Sequence, residues 1–546
     1  MTTYQNAKAK NEFIKTGMVA EYFEALKKTI QINDGKRDFI PKTRDCHDSQ
    51  APFQANQFTT LPITHPDHDV SAISEGFMSF KISVDLQLTG IDSSFNDPER
   101  LCKLFVGWKS SNQILDELQI LSRNQSSNYQ QNEMVREGFA YSNVKGRAER
   151  IRHRFSHSLY ENVSYKNDSV CGTYINVQDF KDGLPHKVEI EAVLPFDDLL
   201  ALQAFQLYPN RTCGDLDLKF KVTPIGLVWC MVDPTHIKEY KEILEGEEVH
   251  ANISEALISG KFRHAFTQIN NHADIINNYS VGDESAGYKV TASKGKCLLQ
   301  CTGLRVTELK SNMFGFGVKE STLERIAEIF KKGVYIPSQQ LDFCEIPNNP
   351  TATGIQGSTN IPLNEVTCIS AMFPKWANDR TVFENPCLKG VYASIAGRNI
   401  PDEGLDTLGA RFFQYQLVAS DLHDNIECTK EFEDSLVQRK NDSDGRRYTN
   451  SLSDDTAFMF NIQLERNHAG YTFDGVDFGE KNVHVSIYGQ PMITGEHDTY
   501  YIPDPSRPDT HPPPVQLWVC RDTYFKVSLD GLEYVRTGSP PELQAK

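Results

Sequence analysis

The chain has 546 residues, a net charge of −17, 39% hydrophobic residues and 24% charged residues. That length is too great for one hydrophobic core and predicts roughly two to four domains. The composition is typical of a folded protein, and the negative charge argues against a protein whose main task is to grip nucleic-acid phosphates. No apolar run approaches the roughly 18 residues of a membrane helix, and the N-terminal residues lack the apolar core of a secretory signal.

Residues 7–32 place apolar side chains at helical spacing among Lys, Glu and Asn, which predicts an amphipathic helix. Two roles are open for it. The helix either packs on its own domain or forms an arm that reaches a neighbouring subunit. We therefore treat residues 1–35 as a separate N-terminal helical segment.

A strand pattern begins after this segment. Residues 80–88 alternate between apolar and polar side chains, as a strand with one buried face does. Residues 104–108 form a short apolar run, and the apolar spacing over residues 112–121 predicts a helix. Residues 122–150 are polar and predict a long loop, which on a β scaffold usually contacts another molecule.

The clearest pattern lies in residues 186–222. Residues 215–222 alternate without a break, with Leu216, Leu218, Phe220 and Val222 on one side. Val188 and Ile190, set between charged residues, predict a second strand, and residues 199–205 predict a short helix between the two. Two strands with one apolar face each are typical of a two-sheet β-sandwich.

The same kind of pattern continues to the C-terminus. Residues 226–232 predict a buried strand that Asp233-Pro234 ends. We expect strands at residues 296–309, 412–417, 458–464, 483–487 and 525–529, the last before an Asp530-Gly531 turn. A helix is expected over residues 322–332, ended by Gly333. Residues 347–362 predict a loop, and the proline-rich residues 503–514 predict an extended surface connection.

The residues with catalytic or metal-binding potential do not form a convincing site. His153 and His157 have helical ligand spacing but adjoin Arg152 and Arg154, which repel a cation. His65 and His68, His497-Asp498, and the Asp474–Asp477 segment lack further ligands. Neither phosphate-binding glycine motifs nor a GxSxG elbow occur. We expect no catalytic residue, no cofactor and no metal, and we expect the twelve cysteines to be mostly buried and reduced.

Residues 145–154 form the one basic run in this acidic chain. They are either a solvated loop or a contact with nucleic acid or an acidic neighbour. At most weak contact with DNA is expected from the chain as a whole.

Several segments between residues 105 and 234 resemble the double jelly-roll major capsid proteins of Polinton/Maverick elements and of related virophage-like or adintovirus-like DNA viruses. The segments are FVGWKSSNQILDELQIL, YQQNEMVREGFAYSNVKG, FSHSLYENV, VCGTYINVQDFKDGLPHKVEIEAVLPFDDLLALQAF, CGDLDLKFKV and GLVWCMVDP. They cover about a quarter of the chain and include no catalytic signature. The second half has a compatible length and pattern but no equally distinctive motif.

The resemblance implies an all-β fold of two tandem jelly-roll β-sandwiches, a double jelly roll, with short inserted helices. The expected domains are a first jelly roll at 36–235, a linker at 236–262 and a second jelly roll at 263–546. The implied function is that of a major capsid protein, located in the virion, whose homotrimers tile an icosahedral shell around double-stranded DNA with penton and minor capsid proteins as partners. In such a shell, residues 122–150 and 340–362 form either towers or contacts between subunits.

Two other function classes stay open at the level of the sequence. The first is a minor capsid or receptor-binding β-sandwich protein. The second is a carbohydrate-active β-sandwich enzyme, against which the four Trp residues and the lack of suitably spaced acidic pairs argue.

Overall fold

The computed structural model describes residues 42–45, 52–90, 103–132, 168–232, 266–418 and 458–535, with short gaps inside several of these ranges. The predicted N-terminal helix, the predicted linker, the basic run at 145–154 and the residues around His497 lie outside the described residues. So do Asp474 and most of the expected loop at 122–150.

The first half of the described chain is built of short and long antiparallel strands. In chain order they are β1 (Lys42–Asp45), β2 (Phe53–Gln54), β3 (Phe58–Pro62), β4 (Val70–Ser71), β5 (Phe77–Thr89), β6 (Lys103–Gly107), β7 (Leu115–Ser122), β8 (Gln125–Asn132), β9 (Asp168–Ser169), β10 (Gly172–Asn176), β11 (His186–Pro195), β12 (Leu216–Val222), β13 (Val228–Val232), β14 (Thr267–Gln268), β15 (His272–Asp274), β16 (Tyr279–Val281), β17 (Tyr288–Val290), β18 (Lys296–Met313) and β19 (Gly315–Phe316).

The second half continues with β20 (Val334–Glu345), β21 (Ile355–Pro362), β22 (Val366–Met372), β23 (Leu388–Ile395), β24 (Arg398–Asn399), β25 (Met459–Gln463), β26 (Asn482–Pro491), β27 (Gln516–Ser528) and β28 (Gly531–Val535). The α-helices are α1 (Asn210–Cys213), α2 (Glu320–Phe330) and α3 (Leu408–Val418). The 3₁₀ turns are Ile73–Glu75, Ser111–Ile114, Val177–Asp179 and Leu200–Leu202.

The strand order is the same in both halves. In the second half one sheet runs β20-β27-β22-β25 and the facing sheet runs β21-β26-β23-β24. Numbered one to eight along the chain, these strands lie in the orders 1-8-3-6 and 2-7-4-5. The first half contains the same pattern in β1-β18-β5-β11 and β3-β12-β7-β8. There, β2 and β15 also pair with β18, and a further sheet, β14-β13-β6-β10-β9, packs on the same core. Two four-stranded sheets with this antiparallel, Greek-key order form a jelly roll, so the chain is a double jelly roll.

The interior of each barrel follows from the alternation in its strands. The side chains of β12 are buried at every second position, from Leu216 to Val222, as the sequence predicts. Strand β5 buries Phe80, Ile82, Val84 and Leu86 in the same way. Each fully buried Leu, Ile or Phe contributes roughly 1.5–3 kcal/mol, so a one-residue slip of either strand would cost several such contributions.

The expected boundary between the two barrels is wrong. The eighth strand of the first barrel is β18, which pairs with β5 from Leu298 to Asn312 and therefore lies beyond the predicted linker at 236–262. The chain passes from one barrel to the other through α2, which confirms the helix expected at 322–332. Gly333 follows this helix with a positive φ of 82°.

Two other predicted elements are also wrong. The helix expected at 112–121 is a 3₁₀ turn followed by β7. A bulge between Phe220 and Val222 places Leu118 and Leu115 opposite them, three residues apart, and this spacing mimics a helix. The strand expected at 412–417 is part of α3. Its Phe412 packs on the second core while the adjacent Phe413 is 50% exposed.

The expected loops contain more strand than their composition indicates. Strand β8 occupies the start of the loop expected at 122–150, and β21 occupies the end of the loop expected at 347–362. The short helix expected at 199–205 includes only a 3₁₀ turn, Leu200–Leu202, within the described residues. The strands expected at 296–309, 458–464, 483–487 and 525–529 are confirmed.

Candidate assembly surfaces

Within the described residues no group of three or more His, Cys, Asp or Glu side chains is placed to hold a metal ion. His65 is 1% exposed, and its Nδ1 accepts a hydrogen bond from the backbone N–H of Asp67, while its ring lies 4.2 Å from that of His68. His65 is therefore a buried side chain at the start of a turn whose tip, Pro66 and Asp67, is exposed. None of the described helices combines the length and apolarity needed to cross a bilayer.

The two barrels share an apolar seam. Phe525 of β27 and Tyr534 of β28 lie in the core of the first barrel, where both rings contact Tyr129 of β8, with centroid distances of 5.4 and 5.2 Å. Phe205 packs on Phe525 at 5.4 Å. Because large aromatic side chains bury the most area, this hairpin joins the barrels tightly. We call these residues, with Val527 and Leu532, the apolar seam.

The outer face of the β1-β18-β5-β11 sheet is charged and internally paired. Lys81 of β5 lies 3.7 Å from Glu191 and 3.1 Å from Glu308 on its two neighbouring strands, and Lys310 also contacts Glu308. The hydrogen bond from Lys310 holds the pKa of Glu308 below its usual range, and the hydrogen bond to Glu308 raises the pKa of Lys81. Exposed pairs such as these add little stability and weaken with salt.

The outer face of the β21-β26-β23 sheet differs sharply from that of the first barrel. Its centre is a cross-strand pair, Tyr392 and Tyr488, which are 36% and 40% exposed. Among the exposed side chains of these three strands, Lys389 is the only lysine, arginine or carboxylate, and the short edge strand β24 of the same sheet adds the exposed Arg398. We call this set the charge-poor face; it comprises Gln356, Asn360, Pro362, Lys389, Tyr392, Asn482, His484, Tyr488, Gln490 and the adjoining Met492.

The equivalent sheet of the first barrel shows that the jelly-roll fold does not require this composition. There, Lys219 and Lys221 of β12 lie 4.5 and 4.2 Å from the ring centre of Phe58, and Lys221 pairs with Glu117 at 2.7 Å. The core of a protein–protein interface is depleted of charge and enriched in tyrosine. The charge-poor face has that composition, whereas the first-barrel sheet does not.

Sequence reasoning did not find the charge-poor face. It lies on β21, β23 and β26, which are spread over residues 355–491 and meet only through the strand order. A signal was nevertheless present, because residues 482–492 contain neither a carboxylate nor a lysine or arginine in a chain that is 24% charged.

Comparison with known proteins gives structural likeness at low identity. No family model matches the chain, and no curated protein matches it. The mavirus major capsid protein has a TM-score of 0.44 at 9% identity, with 94% of each chain covered. A Sputnik virophage structure has a TM-score of 0.43 at 10% identity and covers 93% of this chain and 91% of its own. The Faustovirus major capsid protein has a TM-score of 0.39 at 7% identity, covering 91% and 92%. The strand order given above, and not these likenesses, carries the assignment of the fold.

Proposed function

We propose that this chain is the major capsid protein of an icosahedral double-stranded DNA virus and that it associates as a homotrimer. The observation that carries the proposal is the repeated 1-8-3-6 and 2-7-4-5 strand order, which gives one chain two jelly rolls joined by an apolar seam. The capsid-like segments between residues 105 and 234 support it, and jelly rolls are a common capsid architecture. A virion location, and contacts with penton and minor capsid proteins, follow from the same proposal.

The geometry of the seam supports a ring of barrels. Within the chain, the side of the first barrel formed by β8 and by Phe205, in the connection between β11 and β12, contacts the β27-β28 hairpin of the second barrel. This contact is heterologous, because it joins different surfaces of two similar barrels. When a heterologous contact is repeated between copies, it closes into a ring if the rotation allows. Three chains of two barrels each would complete a ring of six.

The charge-poor face is proposed as part of the contact with a second copy of this chain. Every copy carries a net charge of −17, so copies repel one another, and a contact face without carboxylates reduces that repulsion. Three strands about 4.8 Å apart and about eight residues long present roughly 400 Å². A standard interface buries about 800 Å² per partner, so this face supplies about half of one side.

Native mass spectrometry and negative-stain electron microscopy of the purified full chain test the proposal. We expect a trimer in native mass spectra at micromolar concentration and pseudo-hexagonal particles in images. A stable monomer under these conditions would count against the capsid function. In purified virions the chain should be the dominant protein band; a minor band would instead indicate a minor capsid or receptor-binding protein.

A further inference from the structure

The loop between β22 and β23 carries a fully buried carboxylate that touches both barrels. Asp379 is 0% exposed. Its Oδ2 accepts backbone hydrogen bonds from Lys375 at 3.1 Å and Trp376 at 2.8 Å, within its own loop. Its Oδ1 accepts a hydrogen bond at 2.7 Å from Nδ2 of Asn271, which lies between β14 and β15 of the first barrel. One carboxylate therefore holds its own loop with one oxygen and the other barrel with the second.

Further hydrogen bonds attach the same loop to its surroundings. Gln268 of β14 accepts from the backbone N–H groups of Arg380 at 2.6 Å and Thr381 at 3.3 Å, and its Nε2 donates to the carbonyl oxygen of Asn378. Gln516 of β27 donates to the carbonyl oxygen of Asp379 at 3.1 Å. We call residues 268, 271, 378–381 and 516 the polar lock. It is separate from the apolar seam and joins the same two barrels.

The charged groups around the polar lock are paired elsewhere. Lys375 lies 3.1 Å from Glu384 of the same loop, and Arg380 lies 4.0 Å from Glu345 of β20. On the first-barrel side, His272 is exposed, and the Nζ of Lys109 lies 5.9 Å from the ring centre of Phe266. Phe266 and Val382 form an apolar cluster at this contact. In the described part of the chain, no basic side chain forms an ion pair with the Asp379 carboxylate.

Burial without an ion pair raises the pKa of Asp379 from 3.8 to about 7, although the two backbone hydrogen bonds and Lys375 act in the opposite direction. If the lock opens, water reaches the carboxylate and the pKa returns towards its ordinary value. Between these two pKa values the closed lock holds a proton that the open lock has released. The closed state is therefore most favoured below about pH 4 and loses stability as the pH rises to about 7, above which the loss levels off.

We propose that the polar lock is a pH-sensitive clasp between the two barrels, closed in mildly acidic solution and loosened as the pH rises towards neutrality. The apolar seam is built from Phe, Leu, Val and Tyr side chains and keeps the barrels attached when the clasp opens. This inference does not depend on the proposed function, because the clasp lies within one chain. In an assembled shell it would make the angle between the barrels sensitive to pH.

Hydrogen exchange of the purified full chain between pH 5 and pH 8, corrected for the intrinsic chemical rate, tests the clasp. We expect peptides covering residues 266–274 and 373–387 to lose protection by up to about tenfold per pH unit until the loss levels off near pH 7. Peptides covering residues 523–535 in the apolar seam should keep theirs. The Asp379→Asn substitution introduces a neutral side chain of the same shape. In this variant the protection of residues 266–274 and 373–387, the two lock segments, should not change with pH. Glu324→Gln, on the exposed side of α2, is the control and should lose protection with pH as steeply as the wild-type chain does.

Three results would overturn the clasp. The first is that protection of both lock segments stays constant with pH in the wild-type chain. The second is that Asp379→Asn loses protection with pH as steeply as the wild type. The third is that residues 523–535 lose as much protection as the lock segments do. If Asp379→Asn does not fold, Asn271→Asp gives an independent test. It places a second carboxylate against Asp379, so the two share a proton and the pH at which the loss levels off should increase. If protection in this variant stops falling at the same pH as in the wild type, the proposal is also refuted.

Discussion

The backbone N–H of Leu532 in the second barrel donates a hydrogen bond to Oγ of Ser122, the last residue of a first-barrel strand, at 3.0 Å. Ser122 is 5% exposed, so water does not readily replace it as the acceptor. Nearby, Nη2 of Arg123 donates to the carbonyl oxygen of Leu529 at 2.6 Å. The backbone of the β27-β28 hairpin is therefore bound to the first barrel beside the apolar seam.

Replacement of Ser122 by Ala should lower the free energy of unfolding by about 1–3 kcal/mol, because it leaves the buried N–H of Leu532 without its acceptor. Urea unfolding followed by circular dichroism measures the effect. Ser358→Ala, on the half-exposed surface of β21, is the matched control and should change stability by less than about 0.5 kcal/mol. Equal effects of the two substitutions would show that the hydrogen bond contributes nothing.

Phe525→Ala should cost about 3–5 kcal/mol, because it opens a cavity among three aromatic rings in the apolar seam. The same unfolding measurement applies. Tyr488→Ala removes an aromatic ring of similar size from a position that is 40% exposed in the isolated chain, and it should change the stability of the monomer much less. A mild effect of Phe525→Ala would mean that the two barrels do not share a core.

Tyr488→Glu should weaken self-association at least tenfold, because it places a negative charge in the charge-poor face of an already acidic chain. Analytical ultracentrifugation over a concentration series measures the association constant. Val193→Glu is the matched control: it adds the same charge at a 51% exposed position on the already charged face of the first barrel. If both variants lose association equally, total charge and not the charge-poor face determines assembly.

Two glycines should respond in opposite directions to replacement by alanine. A Cβ at Gly226 would lie 2.1 Å from the carbonyl oxygen of Gln113, so Gly226→Ala should destabilise the first barrel by about 1–3 kcal/mol. A Cβ at Gly409 in α3 would have no atom within 4 Å, and Gly409→Ala should stabilise the chain by about 0.5–1 kcal/mol. Thermal unfolding of both variants checks the signs, and the same sign for both would contradict this account.

Cys301 and Cys213 should react slowly with iodoacetamide in the native protein. Burial raises the pKa of Cys301 to about 11 and that of Cys213 to about 12. The thiolate of Cys301 at pH 8 is therefore about a hundredfold rarer than that of an ordinary thiol. Peptide mapping after timed alkylation measures both sites, with urea-unfolded protein as the control. Native rates that match the unfolded rates would show that the two thiols are not buried.

The described cysteines are mostly buried, as the sequence predicts. Six of the eight are buried, and Cys301 and Cys344 are half-buried. Their sequence positions do not reveal this arrangement. Cys368 and Cys520 are 152 positions apart yet face each other on adjacent strands, and only the register of β22 with β27 brings them together.

Periodicity predicted strands well where a single strand has one buried and one wet face, as in β12 and β5. It failed where an element departs from the regular alternation of a strand. The bulge in β7 puts Leu115 and Leu118 on one buried face although they are three residues apart, and the second core covers only one side of α3, so Phe412 is inside and Phe413 is outside. The predicted boundary between the barrels was wrong for a related reason. Alternation shows that β18 is a strand, but which strands it pairs with depends on the packing of the whole barrel.

The sequence by itself determined that this chain is an all-β protein with more than one core, because alternation of apolar and polar side chains fixes which face of each strand is buried. Only the tertiary structure decided which strands pair, where the first barrel ends, and that Asp379 lies buried between the two barrels. It also gathered Tyr392 and Tyr488 into the charge-poor face. Alternation is local to a strand, whereas pairing, burial of a carboxylate and the composition of a face depend on residues that lie in separate parts of the chain.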